Sequence, residues 1–292
     1  MIFKIVPFGL CLLFLGPCSL QALHTEVTAL SSESPAASPE VLRKPFPGDE
    51  YGCKPPFEAG WVCENVWIKG QEQGSFLTVK RNGARYLVAA PHGWFDAGTD
   101  IILYNMFPNQ GSEGASWSQL IAHSFRGHAP SRLKHNVNRP NSFNLDVCKD
   151  LPELEISKLV YQEYQKNLDH LAQKIRLYVE IHGQNEPGLE ANIEVATERV
   201  SADEAKRIRV IMNEEMVKVG ITGVQVVIEP LDIIFFNAGQ NKDCGAINYV
   251  DPAPVIHAEN PDVMRDSDEA LIRTILFYRR VLTRVAAEIY PL

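Results

Sequence analysis

Two apolar runs in this chain end in the same dipeptide, and that repetition constrains the fold more than any other feature. Arg85-Tyr86-Leu87-Val88-Ala89-Ala90 leads into Pro91-His92-Gly93, and Tyr178-Val179-Glu180-Ile181 leads into His182-Gly183. Runs this short and this apolar make buried strands. Pro91 has no N–H to give a ladder, so the first strand is expected to end there and leave His92 at its carboxyl end. In open α/β sheets that edge is where ligands bind.

The elements around these runs predict the same class. Asn82-Gly83 is a strong hairpin signal and is expected to join a strand at 75–80 to the strand at 85–90; 60–70 reads as a further strand. Residues 100–107 and 116–125 read as short helices. The segment 133–140 alternates and ends at Pro140, so it is expected to be extended. Leu154, Leu159, Leu168, Leu171 and Ile175 are spaced for a long helix. Ser201-Ala202-Asp203-Glu204 is a capping box opening a helix to Lys218, with Gly220 beyond it. Residues 224–228, 233–236 and 255–259 are β-like, and a last helix is expected over 267–289. Strands alternating with long helices predict an α/β fold, with a mixed sheet flanked by helices.

At the amino end, Lys4 precedes an apolar core from Ile5 to Leu15, and Leu20-Gln21-Ala22 supplies a small residue for cleavage. Residues 1–22 therefore read as a secretory signal, and the protein is expected to be secreted, periplasmic or extracellular. Residues 23–50 are rich in Ser, Pro, Ala and Glu with no apolar period and read as a flexible tether. A single domain is expected over 51–292. The formal charge is −8, and loss of Lys4 with the signal makes it −9 (−8 − 1 = −9). No Lys/Arg cluster stands out, which argues against nucleic acid as a partner. Membrane attachment after signal cleavage is not expected either.

Of the six cysteines, Cys11 and Cys18 leave with the signal. Cys53 and Cys63 make the natural local bridge in an oxidising compartment, which leaves Cys148 with Cys244.

The chemistry concentrates at the strand ends. Gly93 and Gly98 allow a tight turn between His92 and Asp96. A neutral imidazole and a carboxylate four residues apart can meet on one divalent ion, although a hydrogen-bonded loop is the ordinary alternative. With His182 from the second His-Gly strand, they would complete a His, carboxylate, His set with one position open to water. Glu180, two residues before His182, could orient its imidazole. Asn138-Arg139 offers an amide and a guanidinium, suited to a substrate carboxylate or to an oxyanion, with a structural Arg pinning a loop as the commoner alternative. Glu259 ends the 255–258 run and is the candidate for moving a proton beside such a metal, the ordinary alternative for a lone residue of this kind being a surface glutamate. His257 shares its face and is a reserve ligand or proton shuttle. His123, His128, His135 and His170 read as structural.

These motifs together resemble a known group. Pro91-His92-Gly93 with Phe95-Asp96-Ala97-Gly98-Thr99 is similar to the first His-Gly motif of poly-γ-glutamate hydrolases, with Asp in place of Glu and a shorter loop. Asn138-Arg139 and Ile181-His182-Gly183 resemble their Asn-Arg and second His-Gly elements. The order of elements resembles N-formylglutamate amidohydrolases and zinc carboxypeptidases as well, and Ile256 to Pro261 with Met264-Arg265 resembles the late Glu and Arg of the amidohydrolases. Two departures stand out: carboxypeptidases carry their carboxylate where this chain has Phe95, and Asn136 and Val137 stand where those families have Asp before Asn-Arg.

The resemblance implies a phosphorylase/hydrolase-like α/β fold holding one Zn²⁺ on His92, Asp96 and His182. It implies Glu259 and Arg139 in catalysis, and Asn138 and Arg139 on the substrate. The implied activity is hydrolysis of an amide bond in an acidic acyl-amino acid, γ-glutamyl chain or peptide. The alternatives are an inactive binding protein on the same fold, and a zinc carboxypeptidase with Arg126, Arg132 or Arg265 as the extra cationic group.

Overall fold

The computed structural model describes residues 42–45, 53, 57, 60–93, 95–107, 117–125, 135–140, 154–171, 174–238 and 245–292. The expected signal segment, the pairing of Cys148 with Cys244, and Arg126 and Arg132 lie outside them, as does most of the expected tether.

Strands β1 (Val62–Ile68) and β2 (Gln71–Val79) form the sheet's one tight hairpin among the described residues. Its turn is Lys69-Gly70, with φ of 52° and 77°, the left-handed pair a two-residue hairpin turn requires. The Asn82-Gly83 turn does not make the expected hairpin. It leads from β2 to β3 (Tyr86–Gly93), and these are not neighbours: β4 (Trp117–His123) lies between them, antiparallel to β2 and parallel to β3. Residues 117–123 were expected in a helix. Every side chain of β4 is buried, and a strand covered on both faces has no alternation to distinguish it from helix.

β5 (Leu177–Gln184) lies parallel to β3 on its other side, and β8 (Val255–Pro261) lies parallel to β5. β6 (Asn192–Glu198), which has no counterpart in the sequence reading, runs antiparallel to β8, and β7 (Gln225–Ile228) closes the sheet beside β6. The sheet is therefore mixed and eight-stranded, in the order β1-β2-β4-β3-β5-β8-β6-β7.

Helices cover both faces. α1 (Thr99–Met106), α3 (Ala202–Val219) and α5 (Asp268–Glu288) bury Ile102, Leu103, Ile208, Met212, Tyr278 and Val281 against one face. α2 (Leu154–Leu171) and α4 (Ala246–Tyr249) bury Val160, Tyr164, Leu168 and Ile247 against the other. α3 opens with the expected capping box and closes on Gly220 at φ 73°. α5 is capped by the Ser267 hydroxyl. Residues 233–236 form no strand, because the N–H groups of Phe235 and Phe236 bond to the Glu194 carboxylate instead of to a ladder.

β3 is the switch point of the sheet. The chain leaves it for β4 on one side and later returns to β5 on the other, and in open α/β sheets the carboxyl ends of strands at such a point are where ligands bind. Contrary to expectation, β3 continues past Pro91 to Gly93, but its register with β4 breaks between Ala90 and Gly93. Tyr86, Val88 and Ala90 face the α1 layer. Strict alternation would send His92 the same way, but the register break between Ala90 and Gly93 interrupts it, and His92 instead meets His182 at 3.1 Å.

Candidate metal centre

The turn after β3 sets the first two groups of the site. The Asp96 N–H bonds back to the His92 carbonyl at 2.9 Å, and the Thr99 hydroxyl holds the Asp96 carbonyl at 2.8 Å. Gly98 sits at φ 86° as the residue preceding α1, where a Cβ would also meet Leu271 at 2.9 Å. This closed turn brings the Asp96 carboxylate beside a ring nitrogen of His92, with Oδ2 3.3 Å from Nδ1.

His182 arrives from β5. Its Nδ1 lies 3.1 Å from His92 Nδ1 and 3.2 Å from Asp96 Oδ2. All three residues are buried. Three donor atoms in a near-equilateral triangle suit an ion about 2.0–2.1 Å from each, with angles between ligands of about 100°, close to tetrahedral. The donor set of two imidazoles and one carboxylate is that of a catalytic zinc site.

A second group, Glu180, His182 and His257, also brings its ligand atoms together. There Glu180 Oε2 lies only 2.7 Å from His257 Nδ1, which is the length of a charge-assisted hydrogen bond and would force a ligand angle of about 80° on an ion. Glu180 Oε2 also accepts from Asn138 Nδ2 at 3.1 Å and faces His182 Nε2 at 3.3 Å, while Oε1 accepts from the Tyr178 hydroxyl at 2.8 Å. The Tyr178 hydroxyl in turn meets that of Tyr164 at 2.8 Å. This is a carboxylate saturated with hydrogen bonds, and it supports the first group by fixing the His182 ring through its far nitrogen.

The electrostatics follow from burial and pairing. Burial opposes the charge on Glu180, which is 0% exposed, but hydrogen bonds from His182 and His257 hold its carboxyl well below the usual range. Burial likewise opposes protonation of His182, yet Glu259, Asp96 and Glu180 outweigh it and raise its pKa to about 9. Burial and the Glu180 charge push the Tyr164 and Tyr178 hydroxyls up, so both stay neutral donors.

Glu259 is opposite His182 in the β5–β8 register, 8% exposed, with Oε1 3.0 Å from His257 Nε2. Asn138 is buried and joined to the site through Glu180; its Oδ1 is buried with no hydrogen-bond partner among the described residues. Arg139 follows it, half-buried, in a turn closed by its N–H to the Asn136 carbonyl. The segment expected to be extended is thus a bridge at His135 and then this turn.

Arg265 is not the free cation that a carboxypeptidase reading would need. It is buried, and its guanidinium donates to the carbonyls of Asn260, Ala97 and Gln184 and to the Asp262 carboxylate. It ties the ends of β5 and β8 to the loop carrying Asp96. The sequence marks Arg265 only by its resemblance to the late Arg of the amidohydrolases and as a candidate substrate cation, not for this structural part. Gly183 gives it room: a Cβ there would lie 2.3 Å from the Arg265 Cζ. Tyr178 was unmarked, although the spacing Tyr178, Glu180, His182 places all three on one face.

No family model matches the chain, and no curated protein matches it. Solved structures with a similar backbone course include a bacteriophage poly-gamma-glutamate hydrolase, at 13% identity and a TM-score of 0.43, over 81% of this chain and 92% of that one. Carboxypeptidase A from Helicoverpa armigera matches at 10% identity and 0.49, over 79% and 70%. Bovine thrombin-activatable fibrinolysis inhibitor, solved in complex with tick carboxypeptidase inhibitor, matches at 10% and 0.46, over 76% and 88%.

Proposed function

We propose that this chain is a secreted zinc-dependent hydrolase of an amide bond, acting on an acidic acyl-amino acid, γ-glutamyl chain or peptide. The observation that carries the reading is the triangle of His92 Nδ1, Asp96 Oδ2 and His182 Nδ1, with sides of 3.1–3.3 Å, at the switch point of the sheet. A zinc ion on these residues would acidify a water and polarise the scissile carbonyl.

Glu259 stands opposite His182 and takes the proton released as the carbonyl is attacked, then delivers it to the departing nitrogen. Asn138 offers a buried acceptor to a substrate N–H. Arg139 supplies the planar fork for an acidic group of the substrate. The Cys53–Cys63 disulfide supports an oxidising compartment, and no helix among the described residues is long and apolar enough to cross a membrane. A binding protein without catalysis would be favoured by a Glu259 turned to bulk solvent. Its burial and its bond to His257 favour the enzyme.

The test is a screen of the purified protein against γ-glutamyl chains, N-acyl amino acids and short peptides, with and without a chelator. Turnover that is abolished by the chelator, and by Glu259→Gln with substrate binding kept, is expected. Turnover indifferent to both, or none on any substrate with zinc bound, overturns the reading.

A further inference from the structure

His257 joins the two functional halves of the site. β5 and β8 are parallel and in register, with Glu180 opposite His257 and His182 opposite Glu259. Residues two apart on a strand share a face, so the four side chains form a square. His257 has one nitrogen on each carboxylate: Nδ1 is 2.7 Å from Glu180 Oε2, and Nε2 is 3.0 Å from Glu259 Oε1. Its ring stacks on that of His182, with centroids 4.1 Å apart and planes 25° from parallel. It is buried, so the ring is gripped on two edges and one face.

We propose that His257 is a positioning residue. It aims the Glu259 carboxylate while being aimed itself by Glu180, the carboxylate that also fixes the far nitrogen of His182. One buried carboxylate thereby sets both the metal ligand His182 and, through His257, the proton-transferring group, so that the two keep a constant separation. Nothing in the sequence pattern requires a histidine here to carry Glu259. A glutamate carboxylate can turn about several side-chain bonds, and misplacement of a catalytic group by about 1 Å can cost on the order of 10²-fold in rate. This inference rests on the hydrolase reading for its kinetic consequence, but its geometric content does not.

The two ring nitrogens can be replaced separately. His257→Gln carries an amide donor at the reach of Nε2, toward Glu259. His257→Asn carries one at the reach of Nδ1, toward Glu180. Crystal structures of zinc-loaded wild type and both variants read the aim directly. The Glu259 carboxylate is expected in its wild-type place in the Gln variant and rotated away in the Asn variant. With a hydrolysed substrate in hand, kcat is expected to fall about 10–100-fold in His257→Asn, the range for supporting residues of a metal site. KM should hold within a few-fold, and His257→Gln should recover most of the loss. A Glu259 that keeps its position in both variants, or equal kcat losses in both, overturns the proposal. Absence of turnover in zinc-loaded wild type would overturn the hydrolase reading instead, and the crystal structures would still decide the position of Glu259.

Discussion

Replacing Gly183 by alanine separates the scaffold of the site from its ligands. The φ of Gly183 is outside the left-handed region, so alanine is not excluded by backbone strain; the cost arises from Arg265. The added Cβ would stand 2.3 Å from Cζ and 2.6 Å from each terminal nitrogen of the guanidinium. Ordinary carbon contacts begin near 3.5 Å, so the group must withdraw by about 1 Å. Its bonds to the Ala97 carbonyl, at 2.5 Å, and to the Gln184 carbonyl, at 3.2 Å, do not survive that movement.

Hydrogen bonds to a charged group contribute about 1.5–3 kcal/mol each, so losing two costs roughly 4 kcal/mol. For a domain of this size that lowers Tm by roughly 8–16 °C. Because Ala97 adjoins Asp96, zinc affinity should weaken as well. Thermal unfolding and a competitive-chelator titration measure the two effects. Adding Arg265→Ala removes the clash, so the double variant should be destabilised by clearly less than the sum of the single changes. A Gly183→Ala protein with Tm within about 2 °C of wild type and unchanged zinc affinity would refute the account of Arg265 as the tie between the strand ends.

If zinc binds as proposed, it has to displace a proton from His182, whose pKa the neighbouring carboxylates raise to about 9 against the effect of burial. Its apparent Kd should therefore rise about tenfold for each unit that pH falls between 8 and 6, and a flat profile by calorimetry would contradict the assignment. His135 is buried between Ser157 and Gln73, and burial lowers its pKa to about 4. The unfolded chain takes up that proton first, so stability should fall by about 3 kcal/mol as pH drops from about 6.5 to 4. Urea unfolding should show this slope, and His135→Gln should flatten it. Arg139→Lys should raise KM and leave kcat nearly unchanged if the guanidinium anchors a substrate carboxylate. A fall in kcat by about 10²–10³ would place it on the oxyanion instead, and kinetics unaffected by Lys or Ala alike would make it structural.

The sequence made the centre of this fold legible because the information there is local. The β3 and β5 runs, the closed turn from His92 to Asp96, and the capped helices α3 and α5 are each set by neighbours within a few residues. The strand order was not legible from the turn signals. Asn82-Gly83 read as a hairpin, yet β4 separates β2 from β3 through contacts some 40 residues away. β4 itself reads as helix or strand equally well, since all its residues are buried.

In the site, residue type and spacing pointed to His92, Asp96, His182 and Glu259, because their chemistry is specific and strand ends converge. Arg265 was legible only as a candidate cation for a substrate, not as a tie between strand ends, and the Tyr178–Tyr164 pair left no trace. A guanidinium satisfied by carbonyls, or a phenol donating to a buried carboxylate, depends on partners up to 168 residues away. The role of His257 was open for the same reason, since it needs the register of β8 on β5.

The central claim is that His92, Asp96 and His182 hold one zinc ion, and metal analysis tests it most directly. Wild-type protein dialysed against zinc and then metal-free buffer should retain one equivalent per chain. His92→Ala and His182→Ala should each lose it while keeping a cooperative unfolding transition. Full zinc occupancy in both variants, or none in folded wild type, would contradict the account.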